Sequence, residues 1–549
     1  MRRVATIPGL VGLAAVPLLV LGVFFLVPVG GMLARGLWPD GRLDLGGVLD
    51  VLARPRVHRV VWFTLWSSTL ATVIVVLAGL PAAYALHRLA FPGRRLVRAL
   101  LLVPFVLPTV VVGVAFRQLF SEGGPLGFLG LDGTAWAIIC GLVFFNLSVV
   151  VRAVGAAWES LDPRPGEAAA ALGATPVQVW WTVTLPSLRP AIVSAASVVF
   201  LFCATAFGIV LTLGGQRYAT VESEIYLLTT NLLDLQAAAT LSLLQLLVVV
   251  GLMWWVQRMR AVSDPSNIPV RPRPRRPRRA DLPALLATAA VLTFVAAPLA
   301  TLVAGSLRQT DGQGSGWGLA NYRALGRAPG GVLVPAGEAL VNSLRIAVDA
   351  TWMALLLGLL VTVVATHRST SPAERRVRAG LDGLFMLPLG VSAVTLGFGL
   401  LITLGRPPID LLANPLLVPV AQALVALPLV VRTLSPVLLG IDDRQRQAAA
   451  SLGASPWRVW RTVDLPALWK PLLAAAGFAY AVSLGEFGAT SFLARDDRPT
   501  LPVLIYRLLG HPGPDNYGMA LAASVLLAVT TALVMLVVER LRVPSVGAF

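Results

Sequence analysis

Glu486 stands in Ala-Val-Ser-Leu-Gly-Glu-Phe-Gly-Ala-Thr (481–490), a carboxylate inside an otherwise apolar stretch. At mid-bilayer an ionised acid costs about 2.5–3.5 kcal/mol on insertion scales, so it needs a compensating role. Two roles suit it: lining a path for a cationic solute, or bonding to a neighbouring helix. Asp349 lies near the start of another apolar run and reads as interfacial. The amides of Asn146, Gln245 and Gln422 could line a path, but a polar amide in a bundle more often bonds a neighbouring helix. Lys470 is the only lysine, and no Gly-x-x-x-x-Gly-Lys-[Ser/Thr] loop surrounds it, so the sequence offers no phosphate cradle of that kind. Cys140 and Cys203 both fall in apolar runs, and His87 and His367 have no metal-ligand company. No catalytic constellation emerges, and the chain reads as no enzyme.

The elements that position these residues are membrane helices. The chain has 549 residues, 56% of them hydrophobic and 13% charged, with mean hydropathy +0.78. A helix needs about 20 apolar residues to cross a hydrocarbon core of roughly 30 Å. About twelve such runs occur: 7–33, 60–86, 99–119, 135–151, 191–213, 237–256, 284–302, 344–364, 384–404, 411–431, 472–493 and 519–538. The fold class is therefore an all-α membrane protein. The initial Met-Arg-Arg precedes an apolar run too long for a secretory signal, which reads as an uncleaved first span.

A net charge of +17 would suggest nucleic acid for a soluble protein, but here its placement argues otherwise. Arg258, Arg260, Arg271, Arg273, Arg275, Arg276, Arg278 and Arg279 crowd one connection. His87, Arg88, Arg94, Arg95 and Arg98 follow the second span, and Arg375, Arg376 and Arg378 follow the eighth. With alternating helices these all fall on one side, the positive-inside pattern of a protein in a lipid bilayer, with no nucleic acid as partner and both termini in the cytoplasm.

Glu167 to Pro186, EAAAALGATPVQVWWTVTLP, returns 280 residues later as QAAASLGASPWRVWRTVDLP, Gln447 to Pro466, with 13 of 20 positions identical. Val150-Val-Arg and Val430-Val-Arg keep the same offset, as do His87-Arg88 and His367-Arg368. A weaker match pairs 103–116 with 387–400. Duplication follows. Each copy holds about six spans, an even number, so these are two parallel six-helix repeats. The expected organisation is a first half over 1–260, a linker over 261–280 rich in proline and arginine, and a second half over 281–549. Such a linker favours extended, solvated chain.

Within each repeated loop an alanine run favours helix, and Gly173 or Gly453 sits where a left-handed residue would stop it. Thr175-Pro176-Val177-Gln178 then supplies a cap, a proline at the first helical position and a glutamine that closes the capping box. Ser455-Pro456 repeats this, with Arg458 in place of the glutamine. A helix, a corner and a second helix should lie between the fourth and fifth spans of each half. Small side chains on such a helix suit docking into a partner's groove. A surface linker that happens to be alanine-rich is the alternative, and recurrence in equivalent positions favours docking.

The pattern Glu167-Ala168-Ala169, Gly173, Val183 and Leu185-Pro186 resembles the signature loop of binding-protein-dependent ABC importer permeases, and the fused layout resembles their thiamine and ferric-iron branch. The resemblance implies cytoplasmic coupling helices, formed around Glu167, Ala168, Ala169 and Gly173 and around Gln447, Ala448, Ala449 and Gly453. These would insert into two separate ABC ATPase subunits that carry ATP and Mg. The family usually has isoleucine at Val183 and Val463 and glutamate at Gln447. Two departures therefore accompany the match.

The resemblance also implies an extracytoplasmic solute-binding protein that delivers cargo in the inner membrane, with thiamine favoured over ferric iron. By the same resemblance Glu222, Glu224, Asp496 and Asp497 would face that protein; Glu486, as an acid inside a span, is the residue that would line the substrate pathway if its role is not packing. A secondary transporter driven by an ion gradient, or a scaffold that recruits cytoplasmic proteins, are the rivals. The first calls for several intramembrane ionisable groups where only Glu486 is a good candidate and leaves the duplicated loops unexplained; cargo flux distinguishes the second.

Overall fold

The computed structural model describes residues 7–39, 41–215, 217–261, 274–311, 314–327, 333–366, 372–386, 391–406, 409–511 and 513–541. His367, Arg368, Arg271, Arg273 and most of the linker lie outside the described residues.

Ten described helices are long and apolar enough to cross a membrane: Gly12–Leu37, Pro55–Arg88, Ala135–Ser160, Pro176–Ala204, Leu235–Leu252, Arg279–Leu307, Ala336–Thr366, Leu417–Gly440, Pro456–Gly485 and Asp515–Val538. The third run is not one straight helix. Arg94–Val106 and Thr109–Phe120 meet at 105°. Pro108 explains the break: a proline forces the residue before it out of helical geometry, and Leu107 is extended with ψ 132°. The ninth run yields only the short apolar helix Ala393–Leu404, preceded by the amphipathic Pro372–Met386.

The fifth and eleventh runs also depart from a single rod. Helix stops at Ala204, restarts at Gly208 and ends at Leu213; in the second copy it stops at Gly485 and restarts as the turn Thr490–Leu493. Each break is followed by a further short helix, Val221–Thr230 or Leu501–Gly510.

The chain divides into two compact units. One gathers Met1–Leu49, Ile225–Leu246 and Leu319–Gly547; the other gathers Asp50–Glu224 and Leu247–Gly318. In the first unit the helices 336–366, 417–440 and 456–485 form the core, with Ala350, Ala354, Ala423, Ala426, Val430, Leu434, Leu468 and Ala479 buried together. The N-terminal span packs here, on 336–366 and on 393–404. In the second unit the helices 55–88, 135–160 and 185–204 pack mutually, and 282–307 lies against 55–88 and 109–120. The first span of each sequence repeat thus joins the packing unit built on the other repeat.

Close approach rests on small residues. A Cβ at Gly79 would lie 2.8 Å from Val150 Cγ1, and one at Gly358 would lie 2.4 Å from Val430 Cγ1. The same helix crossing is therefore built twice. Six hydroxyls within the spans are satisfied locally: Thr64, Ser67, Thr72, Thr362, Ser524 and Thr531 each donate to the carbonyl four residues back. With no water in hydrocarbon to receive them, this internal bonding removes the cost of a polar atom.

Candidate docking loops and the broken helices

The two repeated loops fold alike. The alanine-rich helix of the first loop is Arg164–Ala171 and that of the second is Asp443–Ser451. Gly173 has φ +90° and Gly453 +82°, the left-handed geometry that suits glycine. Around each, two backbone bonds close the helix end. Gly173 N–H reaches Ala170 O and Ala174 N–H reaches Ala169 O, both at 3.0 Å; Gly453 and Ala454 repeat this at 3.0 and 3.1 Å. This is the Schellman pattern, in which the carbonyls left over at a helix end find donors.

The restart follows the spacing read from the sequence. Gln178 N–H donates to Thr175 Oγ1 at 3.4 Å, and Thr175 N–H donates to Gln178 Oε1 at 2.7 Å, a complete capping box. In the second loop Arg458 N–H donates to Ser455 Oγ at 3.3 Å, and the arginine offers no acceptor in return. Both restarted helices then widen into one π turn, Trp180–Thr184 and Trp460–Asp464, just before Pro186 and Pro466. Neither proline has an N–H for the carbonyl four residues back, so the normal ladder is interrupted there.

Glu167, Ala168 and Gly173 are exposed, with Ala169 partly so; Gln447, Ala448, Gly453 and Ala449 match them one for one. Leu172 at 90% and Leu452 at 88% exposure stand at the tip of each corner. A large apolar side chain is thus exposed at the same place in both copies.

The loops are tied to their spans by different contacts. In the first copy Trp158, at the end of the fourth span, stacks on Trp180 with centroids 5.5 Å apart. Nearby, Glu159 Oε1 is 2.9 Å from His87 Nδ1 and accepts from Arg98 at 2.8 Å, joining the fourth span to the end of the second. In the second copy Arg446 pairs with Asp464 and Asp443. None of these pairings was legible from the repeat, because the paired residues differ between its copies.

The described end of the linker is anchored rather than wholly solvated. Arg275 N–H donates to Arg88 O at 3.0 Å and Ala90 N–H to Arg275 O at 2.7 Å. The Arg275 guanidinium clasps buried Asp281 through two bonds of 2.7 Å, and the Tyr84 hydroxyl donates to the same carboxylate at 2.7 Å.

Glu486 lies at the break in the eleventh span. Its carboxylate is buried and accepts Ala489 N–H at 2.7 Å, Thr490 N–H at 3.0 Å and the Thr490 hydroxyl. Gln422 Nε2 donates to the same hydroxyl at 3.2 Å. The acid therefore caps the helical turn that follows it. Ala206, its counterpart, offers no such cap. Asn146 bonds to Leu142 O and Cys203 Sγ within its bundle.

Beyond the breaks, the short helices 221–230 and 501–510 are anchored alike. Val221 N–H donates to Thr64 Oγ1 at 3.0 Å, and Leu501 N–H donates to Ser343 Oγ at 2.7 Å. This tucks the first turn inward, so Glu222 and Glu224 are buried, not presented to a partner as the sequence suggested. Glu224 is held by Arg56 at 2.5 and 2.9 Å. Asp496 and Asp497 are exposed and paired with Arg507 and Arg495. Hydrogen bonding from Arg495 holds the Asp497 carboxyl below its usual range. Among the described residues no group of three or more His, Cys, Asp or Glu side chains could hold a metal ion.

The family described as "Binding-protein-dependent transport system inner membrane component" matches this chain twice, over residues 75–261 and 350–542. The chain belongs to that family. Both repeated loops fall inside the matched segments of this inner membrane component, one in each, so the chain carries the family's module twice. The chain is 28% identical over 500 residues to the thiamine transport system permease protein ThiP of Brucella abortus, covering 88% of both chains. It is 29% identical over 476 residues to ThiP of Escherichia coli, covering 82% of this chain and 83% of the relative. It is 27% identical over 553 residues to the probable ABC transporter permease protein y4fN of Sinorhizobium fredii, covering 94% of both. The binding-protein-dependent permease is thus a multi-pass inner membrane protein and the membrane subunit of an ABC importer.

Proposed function

We propose that this permease carries thiamine, or a closely related small organic cation, delivered by an external solute-binding protein and driven by two separate ATPase subunits that bind ATP and Mg. The single observation behind the two-subunit arrangement is the duplicated corner: two left-handed glycines, each beside a nearly fully exposed leucine, in equivalent places. One such corner per half, with halves over 1–260 and 281–549, provides one dock per ATPase. Thiamine is favoured because permeases named for it match the chain over most of its length.

Glu167, Ala168, Ala169 and Gly173, with Gln447, Ala448, Ala449 and Gly453, form the docking surfaces. When the bound ATPase subunits close, each helix moves with its subunit and carries the flanking spans, which is how a bistable bundle is biased from one access state to the other. Both termini lie on the side of the docking loops. Glu486 shapes the substrate pathway by holding the break in the eleventh span, since its oxygens already serve three donors.

The test is ATP hydrolysis by the complex in lipid nanodiscs, with a thiamine-loaded and a ferric-iron-loaded binding protein supplied separately. Stimulation by thiamine alone is expected. Stimulation by ferric iron alone overturns the choice of cargo. Uptake that follows an imposed proton gradient without ATP overturns the importer reading.

A further inference from the structure

We infer that Arg446 is the positioning residue of the second docking helix, and that the first docking helix is positioned by another device, the stack of Trp158 on Trp180. This rests on the reading that both helices receive an ATPase subunit.

One guanidinium touches three elements at the second corner. Its Nε donates to Asp464 Oδ1 at 2.8 Å, at the start of the outgoing span. One terminal nitrogen donates to Asp443 Oδ1 at 3.0 Å, in the first turn of the docking helix. The other lies 3.5 Å from Leu438 O, at the end of the incoming span. The Arg446 side chain is 26% exposed and that of Asp464 11%, so the pair is partly withdrawn from solvent. A planar fork with fixed donor directions sets the angle between helices in a way that a flexible ammonium does not.

The first corner lacks every part of this clamp. Gly166 stands at the position of Arg446, Thr184 at that of Asp464 and Pro163 at that of Asp443. Trp158 occupies the place of Leu438, is 5% exposed, and stacks on Trp180 at an interplanar angle of 29°. In the second copy the equivalent Trp460 stacks instead on Trp457, within its own helix. One corner is closed by charge and the other by an aromatic face, and neither has the residues for the other's device.

Function gives the difference a reason. The first helix carries the acid Glu167, which offers charge to a partner; the second carries Gln447, which does not. A docking helix that contributes less attraction gains from being held ready in the bound geometry, since ordering it on contact costs conformational entropy. The two devices also differ in salt response. A partly exposed ion pair is screened by added salt, whereas stacked apolar rings are not.

The test uses the full chain in nanodiscs, with Cys140 and Cys203 replaced by alanine and a nitroxide label on Ser451→Cys or on Ala171→Cys, which are equivalent exposed positions. Arg446→Met is expected to raise label mobility at 451 and leave 171 unchanged. Trp158→Ala is expected to do the reverse. Added salt should loosen 451 alone, and Arg446→Lys, which keeps the charge but not the planar fork, should restore it only in part. Equal mobility at 451 with and without Arg446, or equal changes at both sites, overturns the inference. With ATPase subunits and loaded binding protein added, Arg446→Met should lower stimulated hydrolysis about fivefold, as expected for loss of one ion pair of this exposure. If the unsubstituted complex shows no stimulation, the docking reading fails, while the label result still decides how the corner is held.

Discussion

Glu486 Oε2 accepts the N–H of Thr490 at 3.0 Å, four residues further along the chain and across a break in the helix. An apolar run read as one span is thereby two pieces joined by a buried carboxylate. Glu486→Ala strands two buried N–H groups at about 1–3 kcal/mol each, before any relaxation. Glu486→Gln keeps one acceptor and should fall between. Thermal unfolding in detergent should show this order. Loss of thiamine transport with unchanged stability would instead place the carboxylate on the cargo.

Gly173→Val and Gly453→Val force a branched side chain into left-handed backbone, at about 1–2 kcal/mol of local strain or more. Both positions are exposed, so membrane insertion should be normal. The corner should open and co-purification of ATPase subunits should fall. Full co-purification of both variants would contradict the docking assignment.

Gly79→Leu and Gly358→Leu push atoms into Val150 and Val430, where even a Cβ has no room. Overpacking of this kind costs about 1–3 kcal/mol. Combining each with alanine at the facing valine should recover part of the lost melting temperature.

Thr64→Val and Ser343→Ala remove the hydroxyls that receive Val221 and Leu501 N–H. Each should cost about 1–3 kcal/mol, as a buried donor left without a partner does. Hydrogen exchange at the first turn of the short helices 221–230 and 501–510 should rise locally, with the rest of the bundle unaffected.

Much of this was written into the sequence locally. Gly173, Gly453, Thr175, Gln178 and Ser455 act on residues within five positions of themselves, so helix stop and restart could be read from spacing alone. Hydropathy located the spans but not their continuity. Pro104 and Pro108 were visible in the third run, yet apolar composition is indifferent to a 105° bend. Glu486 was conspicuous as an acid, but a cap and a cargo ligand look alike until its donors are seen. Arg446 finds Asp464 eighteen residues away, and Arg275 finds Tyr84 across 191 residues of sequence. Such pairings depend on the tertiary turn of the chain, which no local pattern encodes. Burial of Glu222 and Glu224 belongs to the same class, because an anchoring hydroxyl in the second span decides it.

The most direct test of the central claim, one ATPase dock in each half, is native mass spectrometry of the complex purified with its ATPase. The expected result is one copy of this chain with two ATPase copies, reduced to one when either Gly173 or Gly453 is replaced by valine. A complex holding a single ATPase before any substitution, or two that persist when both glycines are replaced, would contradict it.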